Sequence, residues 1–285
     1  MIRIKTCLLA ACMTLASFTH STHARDSNDA LTLAIDSRSE ESRARDGARH
    51  PAQTIAFFQI EPGMTVAEGL PGGGWYTQIL ANYLGREGGI YGINYSEDLW
   101  PLFERSDKWV AEHAERTATF PAMVEGFSDN GIAIESFTFS TVPPEVIGSV
   151  DRVLLIRALH NLNRLEAKAG ALSQALSEIH RMLKDDGLVG VVQHRAQEST
   201  TDEWASGSNG YLKQSAVIAA FEQAGFALVR ESEINANPND NPGPNDFVWR
   251  LPPSLSTSKK DPDLRATMVA IGESDRMTLL FRKAS

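Results

Sequence analysis

The sequence predicts an α/β fold built on a doubly wound, mostly parallel β-sheet. Strand-like and helix-like segments alternate along most of the chain, as βαβ units require. Val150–Ile156 is nearly continuously apolar, as expected of a strand that is buried on both faces. The clearest helical periodicity follows it, and an Asp-Asp-Gly stop comes next. The apolar face of this predicted helix carries Leu165, Leu172, Leu176, Ile179 and Leu183.

The other strands are predicted from short apolar runs between turn signals. In chain order, the predicted strands are residues 65–70, 89–94, 132–139, 150–156, 188–192, 226–230 and 276–282. No helical pattern separates the last strand from the one before it, so we expect the last strand to run antiparallel to its neighbour.

Residues 1–24 are predicted to be a secretory signal peptide. Arg3 and Lys5 precede a mostly apolar run, and Thr22 and Ala24 are small residues at the spacing that a signal peptidase requires. Cleavage near Ala24 would give a periplasmic or secreted protein. An N-terminal membrane anchor, a disordered start and lipid attachment at Cys12 are the alternatives.

Cysteine content and charge narrow the function classes. Cys7 and Cys12 both lie in the predicted signal peptide, so the mature chain would have neither a disulfide nor a thiol nucleophile. The formal net charge of −9 argues against a nucleic-acid partner. No later apolar run approaches the roughly 18 residues that a membrane span needs. The histidines show no metal-ligand spacing, so we expect no metal site.

The mature chain is predicted to have one main domain with two additions. Residues 25–50 are polar and charged, and form either a mobile arm or a surface helix. Residues 51–285 form the main domain. Within it, residues 235–265 are rich in proline and asparagine and are a candidate lid, because a long ordered loop in a compact domain is usually functional.

Residues 66–76 predict a ligand site at the end of the first strand. Glu68 stands near the strand end, the glycines follow, and helical spacing begins after Trp75. Gly72, Gly73 and Gly74 therefore lie between strand and helix, where missing side chains let a ligand approach the backbone and the free N–H groups of the helix start. The alternative is a glycine-rich turn that binds nothing.

Taken in order, these features resemble the class I S-adenosylmethionine-dependent methyltransferases, over roughly residues 50–285. The matching segments are the acid and glycine turn, the second strand, residues 150–162, residues 178–189 and Ala224-Gly225-Phe226. Residues 71–77, Pro-Gly-Gly-Gly-Trp-Tyr-Thr, resemble the first motif of exported bacterial proteins described only as predicted methyltransferases.

The resemblance implies a seven-stranded Rossmann-like methyltransferase fold with an antiparallel last strand, and S-adenosyl-L-methionine as the cofactor. It also implies cofactor contacts from Glu68, Gly72, Gly73, Gly74 and Asn94. Two positions depart from the family pattern. Leu70 stands where the family has a glycine, and Asn94 stands where the family has the acid that holds the ribose hydroxyls.

In an open parallel sheet, ligands bind at the carboxyl ends of the strands. This rule selects Arg157, His160 and Asn161 after the fourth strand, and Gln193, His194 and Arg195 at the end of the fifth. His160 and His194 are the candidate catalytic bases, because imidazole titrates near neutrality.

Two further groups are candidates for the same site. Tyr211 is a catalytic candidate, with Lys213 beside it, on the loop after the fifth strand; Phe247 and Trp249 are candidates for the apolar face of a lid. For each candidate, the alternative is a purely structural role.

The sequence therefore predicts methyl transfer from S-adenosylmethionine to an unidentified small molecule. Two alternatives are open. The first is a non-catalytic exported protein that keeps the fold and binds another ligand, and the second is a different chemistry on the same fold.

Overall fold

The computed structural model describes residues 15–284. Its centre is a sheet in which seven strands follow the order β3-β2-β1-β4-β5-β8-β7, with the short β6 paired to β5. The strands are β1 (Thr65–Gly69), β2 (Gly89–Asn94), β3 (Ala133–Thr138), β4 (Val150–Ile156), β5 (Leu183–Ala196), β6 (Leu212–Lys213), β7 (Phe226–Ser232) and β8 (Arg276–Lys283). Strands β1 to β5 pair in parallel, whereas β8 runs antiparallel to both β5 and β7. The predicted fold class is confirmed.

Helices cover both faces of the sheet. They are α1 (Leu15–Asp36), α2 (Glu40–Arg43), α3 (Asp46–Arg49), α4 (Pro51–Phe57), α5 (Thr77–Tyr83), α6 (Asp107–Ala114), α7 (Arg116–Glu125), α8 (Leu159–Asn163), α9 (Glu166–Ala169), α10 (Ala171–Met182), α11 (Gln214–Gln223) and α12 (Pro262–Ile271). Three short 3₁₀ helices occupy Glu97–Phe103, Pro144–Val146 and Val248–Arg250. None of the helices in the described part is long and apolar enough to cross a membrane.

Strand β4 shows why the fold has two core layers. Val153 and Leu155 belong to the core beneath α10 and α11, whereas Leu154 belongs to the core beneath α4 and α5. Alternate side chains of a strand point to opposite faces, so a strand that is covered on both sides must be apolar at successive positions. The continuous apolar run in the sequence is explained by this double burial.

Three local predictions were wrong. Leu183, which was expected on the helix face, is the first residue of β5, and the strand runs through the Asp-Asp-Gly segment that was expected to end the helix. Helix α10 begins only at Ala171, because Gly170 has a left-handed backbone (φ 63°) that separates it from the turns around Leu165. A helix, α12, also lies between β7 and β8, where none was expected. None of the α12 side chains is buried, so its sequence carries no apolar stripe to predict it. The antiparallel direction of β8 is nevertheless as expected.

The first helix passes through the predicted cleavage site. Residues 1–14 of the predicted signal peptide lie outside the described residues, and α1 continues past Ala24. Three residues after Ala24 pack against the domain: the Ser27 hydroxyl lies 2.8 Å from the Tyr83 hydroxyl, and Leu31 and Ala34 are buried.

Residues 37–50 form α2 and α3 and their connecting turns, and they pack on the domain. Arg38 donates two hydrogen bonds to Asp46, at 2.6 and 2.7 Å, and so closes the segment on itself. The Arg49 side chain is 1% exposed. The guanidinium groups of Arg38 and Arg49 each lie over the Trp75 ring, 4.8 and 4.6 Å from its centroid, where the π-electrons attract them. This polar segment therefore reaches the start of α5.

Candidate active site

A cavity of about 780 Å³ opens at the carboxyl ends of the parallel strands. The glycine turn after β1 and Asn94 at the end of β2 line one side of it. Arg157, His160 and His194, from the ends of β4 and β5, line the other. Ligands bind at this edge in open α/β sheets because the strand order reverses between β1 and β4.

The glycine turn leaves its backbone open. A Cβ atom added at Gly72 or Gly73 would meet no atom within 4 Å, so a ligand can approach these two residues closely. At Gly74 a Cβ would lie 2.9 Å from Phe127, and φ is 74°, so this position needs glycine for both space and conformation. Leu70 also has a positive φ, of 54°, which is the conformation that a glycine would adopt without strain.

Glu68 does not line the cavity, contrary to the expected cofactor contact. It lies in a small recess under the turn, with its side chain 4% exposed, and accepts a 2.5 Å hydrogen bond from the Thr77 hydroxyl at the start of α5. Burial raises the pKa of Glu68 to about 7, and the Thr77 hydrogen bond opposes the rise. Glu68 therefore supports the turn from below through Thr77.

Asn94 does line the cavity, but both ends of its amide are already engaged. Its Nδ2 donates to the His113 carbonyl at 3.0 Å, and its Oδ1 accepts from the Tyr95 N–H at 2.8 Å. One N–H and one lone pair remain for a ligand.

The two candidate histidines lie side by side, with ring centroids 5.3 Å apart. Gln193 donates through Nε2 to the Gly210 carbonyl at 2.9 Å, so its Oε1 faces His160 Nδ1, at 3.2 Å. An amide oxygen only accepts, so His160 Nδ1 carries the hydrogen and Nε2 keeps its lone pair. His194 Nδ1 lies 2.5 Å from the Ser274 hydroxyl.

Both histidines are neutral at physiological pH. Burial lowers the pKa of His160 to about 4, with smaller contributions from Arg164 and Arg157 and an opposing one from the Gln193 hydrogen bond. Burial also lowers the pKa of His194 well below its ordinary value, and His160, Arg157 and Arg276 add to the effect. His160 Nε2 is therefore a proton acceptor, but a weak one.

Tyr211 lies outside the cavity lining, contrary to the expected catalytic position. Its ring is fully buried and stacks on Trp204, at 5.3 Å between centroids. Its hydroxyl donates to Asp240 at 2.8 Å and accepts from Arg250 at 3.0 Å. Both hydrogen bonds of the Tyr211 hydroxyl are made to residues of the loop after β7. Tyr211 thus holds this loop against the part of the domain next to β5.

The remaining sheet-edge and lid candidates divide in the same way. Asn161 and Trp249 line the cavity, and the Trp249 ring lies 5.9 Å from the His160 ring. Phe247 and Lys213 do not line it, and Arg195 is held in ion pairs with Glu233 and Asp275, at 2.6 and 2.9 Å. Part of the Pro- and Asn-rich stretch does line the cavity, namely Val248, Trp249 and residues 251–254.

Sequence reasoning missed the residues that come from the chain termini. Arg45 and Arg49 of the N-terminal segment line the cavity, as do Glu273 and Ser274 before β8. The arginines alternate with acids in the sequence, a pattern typical of a solvated surface, so nothing local marked them as part of a site. No group of three or more His, Cys, Asp or Glu side chains in the described region is arranged to hold a metal ion.

Comparisons with known proteins identify the fold. No protein-family profile matches the chain, and no curated protein matches its sequence. Three solved structures represent the similarity. The [4+2]-cyclase SpnF is 15% identical, with a TM-score of 0.52 over 83% of this chain and 81% of that one. Geranyl diphosphate C-methyltransferase from Streptomyces coelicolor A3(2) is 11% identical, with a TM-score of 0.50 over 83% and 76%. A SAM-dependent methyltransferase from Aquifex aeolicus is 18% identical, with a TM-score of 0.46 over 72% and 93%.

The chain has the Rossmann-like fold of methyltransferases. One of the three similar structures is a cyclase, so this fold also serves chemistry other than methyl transfer. The fold alone therefore does not define the function of the chain, which depends on the residues that line the cavity.

Proposed function

We propose that the protein transfers a methyl group from S-adenosylmethionine to a small-molecule acceptor. The observation that carries the proposal is the open glycine turn, which faces a large cavity at the switch point between β1 and β4. The similar C-methyltransferase from S. coelicolor was solved with S-adenosylhomocysteine and a geranyl diphosphate analogue, which supports this assignment for the fold.

The residues on the glycine side of the cavity fit the cofactor. The space beside Gly72 and Gly73 admits a ligand against the backbone, and the remaining N–H and lone pair of Asn94 suit a ribose diol. When bound, the cofactor supplies an electrophilic methyl group on a sulfonium. The engaged amide of Asn94 makes this ribose contact weaker than a free carboxylate would give.

The residues on the histidine side suit an acceptor. Gln193 fixes the tautomer of His160, so that Nε2 is free to take the proton that an acceptor hydroxyl or amine releases. Trp249 and residues 251–254 line this side of the cavity. His194 is tied to Ser274 and supports the same wall.

The alternative is a non-catalytic binding protein, and the charge of the cavity favours it. Glu273 is the only acidic residue among the described residues that line the cavity, whereas five arginines line it: Arg45, Arg49, Arg116, Arg157 and Arg164. Because S-adenosylmethionine is itself a cation, this lining disfavours the cofactor bound alone. An anionic ligand without methyl transfer would satisfy the same charges.

Calorimetric titration of the protein with S-adenosylmethionine and S-adenosylhomocysteine tests the assignment. We expect binding in the micromolar range and a loss of about tenfold or more in Gly73→Ala, because the new methyl group would occupy the ligand's space. Gly47→Ala is the matched control, since its Cβ also meets nothing within 4 Å but Gly47 does not line the cavity. If neither compound binds at millimolar concentration, the protein is not an S-adenosylmethionine enzyme.

We also propose that the protein acts outside the cytoplasm. The predicted signal peptide contains both cysteines, and Ser27, Leu31 and Ala34, which dock α1 on the domain, all follow the predicted cleavage position. Cleavage near Ala24 would therefore leave these contacts in place. Membership of the exported group with the Pro-Gly-Gly-Gly-Trp-Tyr-Thr motif is part of this proposal.

A further inference from the structure

We infer that the acceptor is an anion, whose carboxylate or phosphate group binds between Arg45, Arg49 and Arg157 in the cavity. The anion site stands on the geometry of these arginines, and only its description as the acceptor site rests on the proposed function.

Glu273 organises the arginines but neutralises only one of them. Arg45 Nε and Arg49 Nε each lie 3.1 Å from the carboxylate, and Arg276 Nη1 lies 3.0 Å from it. Burial lowers the pKa of Arg157 to about 10, and the negative charge of Glu273 opposes this change. Three guanidinium groups therefore share one carboxylate, and with Arg157, which lines the same cavity, the formal excess is three positive charges.

The donors that Glu273 does not use are left without partners. Both Nη atoms of Arg49 and the Nη2 atom of Arg45 are buried and have no hydrogen-bond partner. The Arg157 guanidinium, which is partly exposed and lines the cavity, makes no hydrogen bond to any described residue, and the backbone of Arg157 at the end of β4 has a φ of 58°. A buried guanidinium N–H without a hydrogen-bond partner costs free energy. We therefore expect a bound ligand to supply the missing acceptor.

The Arg49 donors are held in place by neighbouring side chains. Arg49 is held from one side by Glu273 and from its face by Trp75, so its in-plane Nη–H groups are fixed before a ligand arrives. The Arg49 side chain is 1% exposed and belongs to the cavity lining. A carboxylate or phosphate oxygen would be bound by preordered donors.

Charge balance indicates that the anion is the methyl acceptor and not the cofactor. S-adenosylmethionine carries a sulfonium, an ammonium and a carboxylate, so its binding adds positive charge to a cavity that already has an excess. An anionic acceptor would offset both the excess positive charge of the arginines and the positive charge that the cofactor adds. Because Arg157 lowers the pKa of His160, an anion that pairs with Arg157 would also make His160 a stronger base.

The position of the cluster agrees with this assignment. Arg157 is close enough to both His160 and His194 to lower their pKa values, whereas Asn94 lies at the end of β2 on the other side of β1. The Arg157 end of the anion site is therefore on the side of the cavity where the proposed base lies.

The test is calorimetry at low ionic strength with four probes: inorganic phosphate, pyrophosphate, succinate and citrate, each with and without S-adenosylhomocysteine. We expect at least one probe to bind, and the order of affinities separates a phosphate from a carboxylate ligand. Arg157→Gln should weaken binding about 10- to 100-fold, because it removes a charge-assisted donor pair. Arg86→Gln, which removes an equal charge from an exposed residue outside the cavity, should leave it unchanged.

A second variant tests geometry apart from charge. Arg49→Lys keeps the charge but loses the planar fork, and we expect it to weaken the anion about tenfold. Circular dichroism and thermal melting confirm that this buried variant folds. If it does not fold, the comparison of Arg157→Gln with Arg86→Gln carries the test alone, since the Arg157 guanidinium is bonded to no described residue.

The outcomes separate the two proposals. Failure of all four probes to bind at about 10 mM overturns the anion site, as does an equal loss in Arg86→Gln. If no probe binds but Arg157→Gln abolishes S-adenosylhomocysteine binding, the cluster holds the cofactor's own carboxylate, and the proposed function stands without the anionic acceptor. If a probe binds and neither cofactor form does, the anion site stands and the methyltransferase assignment fails.

Discussion

Glu68 gives the sharpest test of the electrostatics under the glycine turn. Replacing Glu68 with glutamine keeps the size of the side chain and an oxygen that accepts from Thr77, but removes the ionisable group. In the folded protein the pKa of Glu68 is raised from 4.5 to about 7, so the folded state holds this proton more tightly than the unfolded state does. The stability that this group contributes is therefore full below its unfolded pKa and is lost as pH rises through its folded pKa.

The size of the effect follows from the shift. A rise from 4.5 to about 7 corresponds to ~3 kcal/mol at 1.36 kcal/mol per pKa unit. The Gln variant does not lose this stability, because it has no proton to release. The free energy of unfolding of Glu68→Gln minus that of the wild type should therefore increase by ~3 kcal/mol between acidic and mildly alkaline pH.

Urea unfolding followed by circular dichroism, at a series of pH values from about 4 to about 8, measures this difference. Glu87→Gln is the control, because it removes a carboxylate from an exposed position close to the start of β2. Its difference from the wild type should vary by less than ~0.5 kcal/mol over the same range. Parallel curves for the wild type and Glu68→Gln would refute the argument that Glu68 is desolvated.

Two further predictions concern the loop and the N-terminus. Tyr211→Phe should lower the free energy of unfolding by about 1–3 kcal/mol, because Arg250 loses a buried acceptor and Asp240 a donor. Cofactor affinity should change less than about twofold, since Tyr211 does not line the cavity; a large loss of affinity with unchanged stability would restore it to the site. Intact mass spectrometry of the protein from the periplasmic fraction should give a chain that starts at Arg25, and recovery of the uncleaved chain in the cytoplasm alone would contradict export.

The sequence predicted the sheet well because each strand carries its own signal. Successive apolar residues in β4, and glycines between β1 and α5, follow from local geometry that any chain must obey. Helix α12 was not predicted because an exposed helix does not need an apolar stripe. The start of α10 was misplaced for a similar reason, since the break at Gly170 depends on one backbone conformation and the apolar spacing continues across it.

The site was predicted only where position in the sheet decides it. His160, His194 and Asn94 reach the cavity because they lie at or just after strand ends, and strand ends meet at one edge. Glu68 was also selected by its strand end, and Tyr211 by its place on the loop after the fifth strand, but packing directs both side chains away from the cavity. Arg45 and Arg49 are separated from Glu273 by more than two hundred residues, so only the folded chain brings them together.

Because Arg45 and Arg49 belong to residues 37–50, binding of an anion in the cavity would be coupled to the docking of this segment on the domain. These residues lie outside the sheet and are held to it largely by polar contacts, with Glu273 and Trp75 as the main anchors. An anion that bridges Arg49 and Arg157 would add a further tie between the segment and β4, and by thermodynamic linkage the segment would dock more firmly when the cavity is filled. A change that merely loosens the segment would then be felt as weaker affinity for the ligand, while the sheet itself kept its stability. Substitutions in residues 37–50 can thus change the affinity for the ligand without lowering the stability of the sheet.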